Sequence, residues 1–224
     1  MFNNSNPNTN GEIAFHSKLP KNLVIFDVGS RNDSWFLSYS GFVHYFDPDP
    51  NFIDELRSRP DNKNQKSAFN PFGLSDEAGL FSYYPKHQSF INRINSTGND
   101  DSKNLIYLEL RTAKEYILNQ GIEHIHFLKI DTEGYEWKVM MGFSDCLDRV
   151  GLMQFEYGGT FQDTSTKLSS VVEWLRYKNF IKFYYLSSKG LIEINDFRDH
   201  YQYCNIICAR AGGLLQKPPL LAND

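Results

Sequence analysis

FLKIDTEGYEWKVMMG, residues 127–142, joins an apolar run to an acidic turn and then to a stretch with helical spacing. The run ends at Asp131 and is about six to eight residues long, which predicts a buried parallel strand. Open α/β folds bind ligands in the crevice at the carboxyl ends of their strands. We therefore expect Asp131 to border a ligand site, although it could instead serve only as a helix cap.

A helix is predicted directly after this strand. Trp137, Met140 and Met141 recur at helical spacing beyond the turn. Thr132 or Asp131 would cap the helix. The predicted first turn holds two acids that complement the partial positive charge of a helix N-terminus, Glu133 and Glu136.

The length and charge of the chain limit its domain count and its partners. With 224 residues the chain suits one domain, expected at residues 21–210, after a disordered segment at 1–10 and a lead-in up to residue 20. Residues 211–224 are expected to be a peripheral tail. The 23 Lys and Arg against 27 Asp and Glu leave a net charge of -4 without a basic run. We therefore expect no nucleic acid and no membrane as partner, and favour a small-molecule or glycan substrate.

The cysteines and the hydropathy pattern predict a cytoplasmic protein. Cys146, Cys204 and Cys208 are an odd number without a disulfide framework, which is typical of a reducing compartment. The N-terminus lacks the pattern of a signal peptide, and no apolar stretch approaches the ~20 residues of a membrane span. The glycosylation sequon at Asn95 is accordingly interpreted as a chance match.

The first half of the chain predicts two strands that each end in a polar turn. Residues 22–29, NLVIFDVG, carry Asp27 and end at Gly29, and a turn and a short helix around residues 35–37 follow. The second strand, FVHYF, ends at Asp47, 20 residues after Asp27. In nucleotide-binding α/β folds an acid at this distance accepts hydrogen bonds from ribose hydroxyls. This unit favours a nucleotide-type ligand, the alternative being an acid that only ends a strand.

The rest of the chain continues the alternation of strands and helices. Further strands are predicted at residues 67–74, 80–84, 105–110, 150–157, 180–186 and 203–209, and helices at residues 51–56, 112–119 and 167–177. The strand at 80–84 is expected to pair locally, and the strand at 150–157 reaches the sheet rim at Glu156. Apolar strands that alternate with helices predict an α/β fold with a mostly parallel sheet and helices on both faces.

A polar segment at residues 85–103 interrupts this alternation. A loop of this length in a compact domain tends to be functional or disordered. We interpret the segment as a substrate lid or rim that contains His87, Ser89, Asn92 and Arg93.

These blocks together resemble the FkbM-type family of S-adenosylmethionine-dependent methyltransferases. The resemblance covers residues 22–157 and rests on FDVGSRND, VHYFDPDPNFIDELR, GLSDEAGLFSYY, FLKIDTEGYEWKVMMG and LMQFEYG, in this order. It implies a Rossmann-like class I methyltransferase sheet, mostly parallel with a final antiparallel strand. It also implies S-adenosyl-L-methionine as the cofactor and methyl transfer to a hydroxyl oxygen, often on a sugar or a natural product.

The resemblance also implies roles for individual residues in cofactor binding. Asp27 and Gly29 would lie at the methionine part of the cofactor, Asp47 at its ribose, Ser75 or its neighbours near its adenine, and Asp131 near the reactive methyl group. The full set of implied cofactor-binding residues is Asp27, Gly29, Ser30, Arg31, Asp47 and Ser75.

The chain departs from the family pattern at two positions. The family loop commonly has a second glycine four positions after the first, where this chain has Asp33, and its strand-two acid is commonly Glu rather than Asp47. The Asp33 carboxylate would repel the carboxylate of the cofactor, which puts cofactor affinity in question. Arg31 could offset the repulsion by pairing with either carboxylate.

Methyl transfer to a hydroxyl requires a group that accepts the proton of the oxygen nucleophile. Asp131 is the best-placed base, with Glu156 and Glu133 as alternatives. Lys129 should share a strand face with Asp131 and keep it ionised, or the two could form a purely structural pair. The three acids could also bind a cation, but the primary expectation is a mechanism without a metal.

Two other functions stay open. A catalytically silent module that binds a nucleotide or S-adenosylmethionine is compatible with Asp33. A nicotinamide-dependent oxidoreductase shares the first-strand pattern, but GSRNDS lacks the second and third glycines of its G-x-G-x-x-G loop.

Overall fold

The structure is a computed structural model that describes residues 2–63, 66–91 and 105–211. The strands are β1 (Val24–Val28), β2 (Phe42–Phe46), β3 (Ala68–Asn70), β4 (Gly73–Ser75), β5 (Gly79–Tyr83), β6 (Ile106–Thr112), β7 (Ile125–Ile130), β8 (Val150–Tyr157), β9 (Phe180–Ser187), β10 (Gly190–Glu193) and β11 (Cys204–Arg210). The helices are α1 (Glu12–Ser17), α2 (Pro50–Ser58), α3 (Ala113–Asn119), α4 (Glu136–Gly142), α5 (Gly159–Asp163) and α6 (Leu168–Tyr177), with a 3-10 helix at Ser144–Arg149.

Eight of these strands form one sheet in the order β10-β9-β11-β8-β7-β1-β2-β3. The five strands from β8 to β3 are parallel to their neighbours within that group. β11 is antiparallel to both β8 and β9, and β10 is an antiparallel edge strand. The arrangement confirms the predicted mostly parallel sheet whose final strand is antiparallel.

The central strands bury side chains on both faces of the sheet, which explains why their sequences are continuously apolar. Ile25 and Phe127 are register partners on one face, which α1 and α2 cover. Phe26 and Leu128 are register partners on the other face, which α3, α4 and α6 cover. The helices on both faces agree with the predicted α/β architecture.

A second, three-stranded sheet has the order β4-β6-β5 and differs from the prediction in two ways. The strand predicted at residues 67–74 is divided into β3 and β4, which belong to different sheets. β5 pairs with β6, more than twenty residues further along the chain, and not with a local partner. The sequence pattern did not reveal this pairing because it depends on the tertiary position of β6.

The segment between β1 and β2 forms turns, so the short helix predicted around residues 35–37 is wrong. Phe36 and Leu37 are buried, and the Tyr39 hydroxyl donates a hydrogen bond to the Pro20 carbonyl oxygen. The segment is therefore anchored by side-chain burial and by one tyrosine.

Residues 2–11 pack against the sheet, whereas the sequence predicts disorder for residues 1–10. The Asn3 amide donates to the Tyr203 carbonyl oxygen at 2.8 Å, and the Phe2 ring lies 5.2 Å from the Tyr185 ring. Gly11 has a φ of 99°, and a Cβ atom at this position would lie 2.1 Å from the Ser187 carbonyl oxygen. These contacts hold the Asn-rich segment against the sheet. The sequence pattern does not reveal them, because they join residues that are distant in the chain.

Some predictions fall on residues outside the described ranges. These are the loop residues Asn92 and Arg93, the sequon at Asn95 and the peripheral tail from residue 212 onward. In the ranges that are described, no helix is long and apolar enough to cross a membrane.

Candidate active site

A cavity of about 470 Å³ lies at the carboxyl ends of β1, β2, β7 and β8. The chain leaves β1 toward β2 and β3 and returns at β7 on the other side, so the cavity lies at the topological switch point of the sheet. Its volume is within the range of small-molecule sites. We call two parts of it the Asp47 end, with Asp47, Pro48, Phe52, Leu74 and Tyr83, and the Glu156 end, with Glu12, Lys129, Asp131, Glu156 and Tyr203.

The turn after β7 is held by the Glu136 carboxylate. Its Oε1 atom accepts hydrogen bonds from the Thr132 amide at 2.9 Å, the Thr132 hydroxyl at 3.1 Å and the Gly134 amide at 3.1 Å. Glu133 and Gly134 have φ values of 54° and 106°, which a right-handed helix does not permit. Helix α4 therefore begins at Glu136, and the predicted caps Thr132 and Asp131 are wrong.

Gly29 allows the loops after β1 and β7 to approach closely. Its φ is 80°, and a Cβ atom there would lie 1.8 Å from the Asp131 carbonyl oxygen. The Asp131 amide donates to the Val28 carbonyl oxygen at 2.9 Å. The position of the Asp131 backbone is thus fixed by the end of β1.

Lys129 lies between three carboxylates at the floor of the cavity. Its Nζ atom is 3.0 Å from Asp131 Oδ2 and 3.9 Å from both Asp27 Oδ1 and Glu12 Oε1. Burial alone would lower the pKa of Lys129, but the three carboxylates outweigh it and raise the pKa. Lys129 is therefore a permanent ammonium group, and it contacts Asp131 as the sequence predicts.

Asp131 and Glu156 form a hydrogen-bonded carboxyl pair. Burial and the Asp131 charge raise the pKa of Glu156 well above its ordinary value. For Asp131, burial acts in the same direction, but Lys129 and the hydrogen bond from Glu156 outweigh it and lower the pKa. The pair thus holds one proton on Glu156, and the ionised member is Asp131.

Asp47 is a buried carboxylate at the opposite end. Its Oδ2 accepts from the Arg31 amide at 3.0 Å, and its Oδ1 accepts from the Asp49 amide at 3.0 Å. Burial raises the pKa of Asp47 to about 7, although these two hydrogen bonds oppose the shift. Arg31 has a φ of 48°, and its guanidinium lies 5.7 Å from the centre of the Phe52 ring.

Nine of the ten predicted site residues line the cavity: Asp27, Gly29, Ser30, Arg31, Asp47, Lys129, Asp131, Glu133 and Glu156. Ser75 does not, because its carbonyl lies against Gly142 and its Oγ atom donates to Asp76 Oδ1 at 2.9 Å. Its neighbours Gly73 and Leu74 do line the cavity.

Asp33 also lines the cavity, and it is not among the described residues with positive φ. The backbone at this position therefore does not need the glycine that is common in the family. The charge of Asp33, rather than its backbone conformation, is the departure that bears on the cavity.

The described part of the predicted lid contacts the turn after β7. The Ser89 hydroxyl donates to the Glu133 carbonyl oxygen at 2.8 Å, and Gln88 and Phe90 line the cavity. His87, which belongs to the same predicted lid or rim, is not one of the lining residues.

The cavity also has lining residues that the sequence did not indicate, among them Ser5, Glu12 and Tyr203. Glu12 is buried, and its Oε1 atom accepts from Gln154 Nε2 at 2.9 Å. Gln154 also binds His16 Nε2 at 2.8 Å. The sequence does carry a signal for this part of the site, because Glu12 and Gln154 are polar residues within otherwise apolar elements. Its interpretation requires the sheet register that places Gln154 beside Lys129.

The cavity is strongly acidic. One ligand atom from each of Asp131, Glu133 and Glu156 lies within 4.8 Å of the others, a spacing that suits a metal ion. Lys129 already neutralises part of this charge. The described lining holds two cations, Arg31 and Lys129, against seven acids: Glu12, Asp27, Asp33, Asp47, Asp131, Glu133 and Glu156.

Comparisons with known proteins find one matching family and several similar proteins. The profile described as Methyltransferase FkbM domain matches residues 27–182, more than half of the chain. Hexuronic acid methyltransferase AglP of Haloferax volcanii is 25% identical over 150 residues, which cover 66% of this chain and 61% of the relative. The crystal structure of Methyltransferase FkbM from Methylobacillus flagellatus KT has a TM-score of 0.53 and 11% identity, covering 86% of this chain and 45% of that chain. The chain thus spans less than two thirds of either protein, and the structural likeness concerns the fold alone.

Proposed function

Because the chain belongs to the Methyltransferase FkbM domain family, we propose that it transfers the methyl group of S-adenosylmethionine to a hydroxyl oxygen of a sugar or natural-product-like small molecule. The observation that carries the proposal is a single cavity with a buried carboxylate at the Asp47 end and a carboxyl pair at the Glu156 end. The two ends are three strands apart, roughly 14 Å at ~4.8 Å per strand.

A positively charged cofactor fits this cavity. Asp27 Oδ1 is buried and has no hydrogen-bond partner among the described residues, so a cationic group can satisfy it. Asp27, Gly29, Ser30 and Arg31 would hold the methionine part of S-adenosylmethionine, and Asp47 would accept hydrogen bonds from its ribose. The surplus of acids disfavours a cofactor that carries phosphates.

When bound, S-adenosylmethionine supplies an electrophilic methyl group. Asp131 accepts the hydrogen bond of the acceptor hydroxyl and then its proton. The hydroxyl becomes strongly acidic only as the new bond to carbon forms, so a carboxylate with a lowered pKa is a sufficient base at that stage. Lys129 and Glu156 keep Asp131 ionised and oriented before the reaction.

Two observations favour a sugar-like acceptor. The rings of Phe90 and Tyr135 both line the cavity, with centroids 5.1 Å apart, and such aromatic surfaces suit the apolar face of a sugar ring. The relative AglP is named for hexuronic acid, and its 25% identity gives limited support for a sugar substrate in this chain.

We expect S-adenosylmethionine and S-adenosylhomocysteine, and not NAD, to raise the melting temperature. In NAD-binding folds the pyrophosphate lies at the N-terminus of the helix after the first strand, and residues 31–38 of this chain form no such helix. A thermal-shift titration with all three compounds measures this. Stabilisation by NAD alone would contradict the proposal, whereas cofactor binding without methylation of any screened glycan would indicate the silent binding module.

The affinity for S-adenosylhomocysteine is expected to rise with pH up to about pH 8. Asp47 has a pKa of about 7 in the free protein, and its ionised form is the better acceptor for ribose hydroxyls. Below pH 7 a proton must leave before binding, so the affinity should fall by about tenfold for each pH unit. Calorimetric titration from pH 5.5 to 8.5 measures the slope, and Asp47→Asn is the control that should remove it. The same slope in this variant would exclude Asp47 as its cause.

A further inference from the structure

The acidic lining bears on the substrate as well as on the cofactor. Resting on the proposed function, we propose that the methyl acceptor carries no negative charge: amino sugars bind best, neutral sugars next, and uronic acids worst. The charges that surround the Glu156 end, and the contacts that hold them in place, lead to this order.

The Glu156 end offers an acceptor more negative than positive groups. With one proton shared by Asp131 and Glu156, this pair still carries one negative charge, and Glu12 and Glu133 line the same cavity. A carboxylate on the acceptor would meet these charges at close range in a partly desolvated site, where repulsion is strong. An ammonium group on the acceptor would instead be attracted.

The two cations of the described lining are already engaged. Lys129 is shared by three carboxylates within 3.9 Å. Arg31 belongs to the Asp47 loop, where its guanidinium stacks on Phe52. Both cations therefore already balance carboxylates of the lining, since Arg31 also acts to lower the pKa of Asp131. An anionic acceptor at the Glu156 end would have to compete with these carboxylates.

Glu12 is fixed in the cavity wall by its own segment. Its amide is capped by Asn10 Oδ1 at 2.9 Å, and its carboxylate is held by Gln154. Gly11 packs so tightly against Ser187 that no side chain fits between them. The Glu12 carboxyl group is therefore held in the cavity wall and cannot swing away from an anionic acceptor. Burial raises the pKa of Glu12, whereas the Lys129 charge and the hydrogen bond from Gln154 act to lower it.

The test compares three matched hexoses: glucosamine, methyl glucoside and glucuronic acid. Binding of each is measured at pH 7.5 by calorimetric titration into the protein saturated with S-adenosylhomocysteine. We expect glucosamine to bind tightest and glucuronic acid to bind at least tenfold more weakly than methyl glucoside. Equal or tighter binding of glucuronic acid would overturn the inference, as would a failure of all three to bind. Failure of S-adenosylhomocysteine itself to bind would instead count against the proposed function.

A variant without the Glu12 carboxyl group tests whether Glu12 contributes to the preference for uncharged acceptors. Glu12→Gln keeps the hydrogen-bonding shape and should narrow the preference for methyl glucoside over glucuronic acid by at least threefold. Asp145→Asn is the matched control, because it changes the net charge equally at an exposed pair with Lys114, outside the cavity. An unchanged preference in Glu12→Gln, or an equal change in both variants, would contradict the assignment.

Discussion

Asp131→Asn is expected to lower kcat by about 10²- to 10⁴-fold, the range for loss of a general base. Asparagine fills the same space and retains contact with Lys129, but it cannot accept the proton of the acceptor hydroxyl. Because Asp131 lies at the Glu156 end, the affinity for S-adenosylhomocysteine should change by no more than a few-fold. Steady-state kinetics with the acceptor found by screening and calorimetry with the cofactor product measure the two quantities. An equal loss of cofactor binding would reassign Asp131 to the cofactor pocket.

Glu156→Gln is the matched control for this experiment. Burial and the neighbouring Asp131 charge raise the pKa of Glu156, so its carboxyl is protonated and donates to Asp131. A glutamine amide can donate the same hydrogen bond. We therefore expect less than a tenfold loss of kcat, and the reverse order of the two variants would make Glu156 the base.

Gly29→Ala is expected to lower the free energy of unfolding by about 2 to 5 kcal/mol and to abolish cofactor binding. The positive φ of Gly29 costs an alanine about 1 to 2 kcal/mol, and forcing a methyl group into a filled space adds about 1 to 3 kcal/mol. The group in the way is the Asp131 carbonyl, 1.8 Å from the new Cβ atom. The loops after β1 and β7 must separate, which displaces residues at both ends of the cavity. Urea denaturation and cofactor titration measure the two effects.

Alanine substitutions at two other glycines separate the backbone cost of Gly29→Ala from its steric cost. Gly121 has a φ of 62° with no atom within 4 Å of a new Cβ, so Gly121→Ala measures the backbone cost alone, about 1 kcal/mol. Gly159 has neither a positive φ nor a close neighbour, so Gly159→Ala should be neutral or slightly stabilising. If Gly29→Ala costs no more than Gly121→Ala, the close approach of the two loops does not hold in solution.

The sheet was predictable because each central strand is visible in the sequence as a short apolar run. The apolar runs that contain Phe26 and Leu128 are buried on both faces, and each is followed by a polar loop at the rim. The parallel arrangement then brings the loop acids Asp47 and Asp131 to one edge of the sheet. For this reason local sequence sufficed to bring nine of the ten predicted site residues to the cavity.

The missed features depend on contacts between distant parts of the chain. Glu12 enters the cavity only because residues 2–11 pack on the sheet, and an Asn-rich composition predicts the opposite. The late start of α4 follows from positive φ values at Glu133 and Gly134, which acidic residues near a helix start do not suggest. Ser75 itself lies outside the cavity lining, whereas its neighbours Gly73 and Leu74 belong to it.

The pairing of Asn3 with Tyr203 has a consequence for protein synthesis. The Tyr203 amide donates to Asn3 Oδ1 at 3.1 Å, across a sequence separation of 200 residues. During translation Asn3 leaves the ribosome 200 residues ahead of Tyr203, and such long-range contacts form slowly. We expect nascent chains that stop before β11 to keep this segment open to proteases. The segment that carries Glu12 into the cavity is thus synthesised long before the residues that hold it in place.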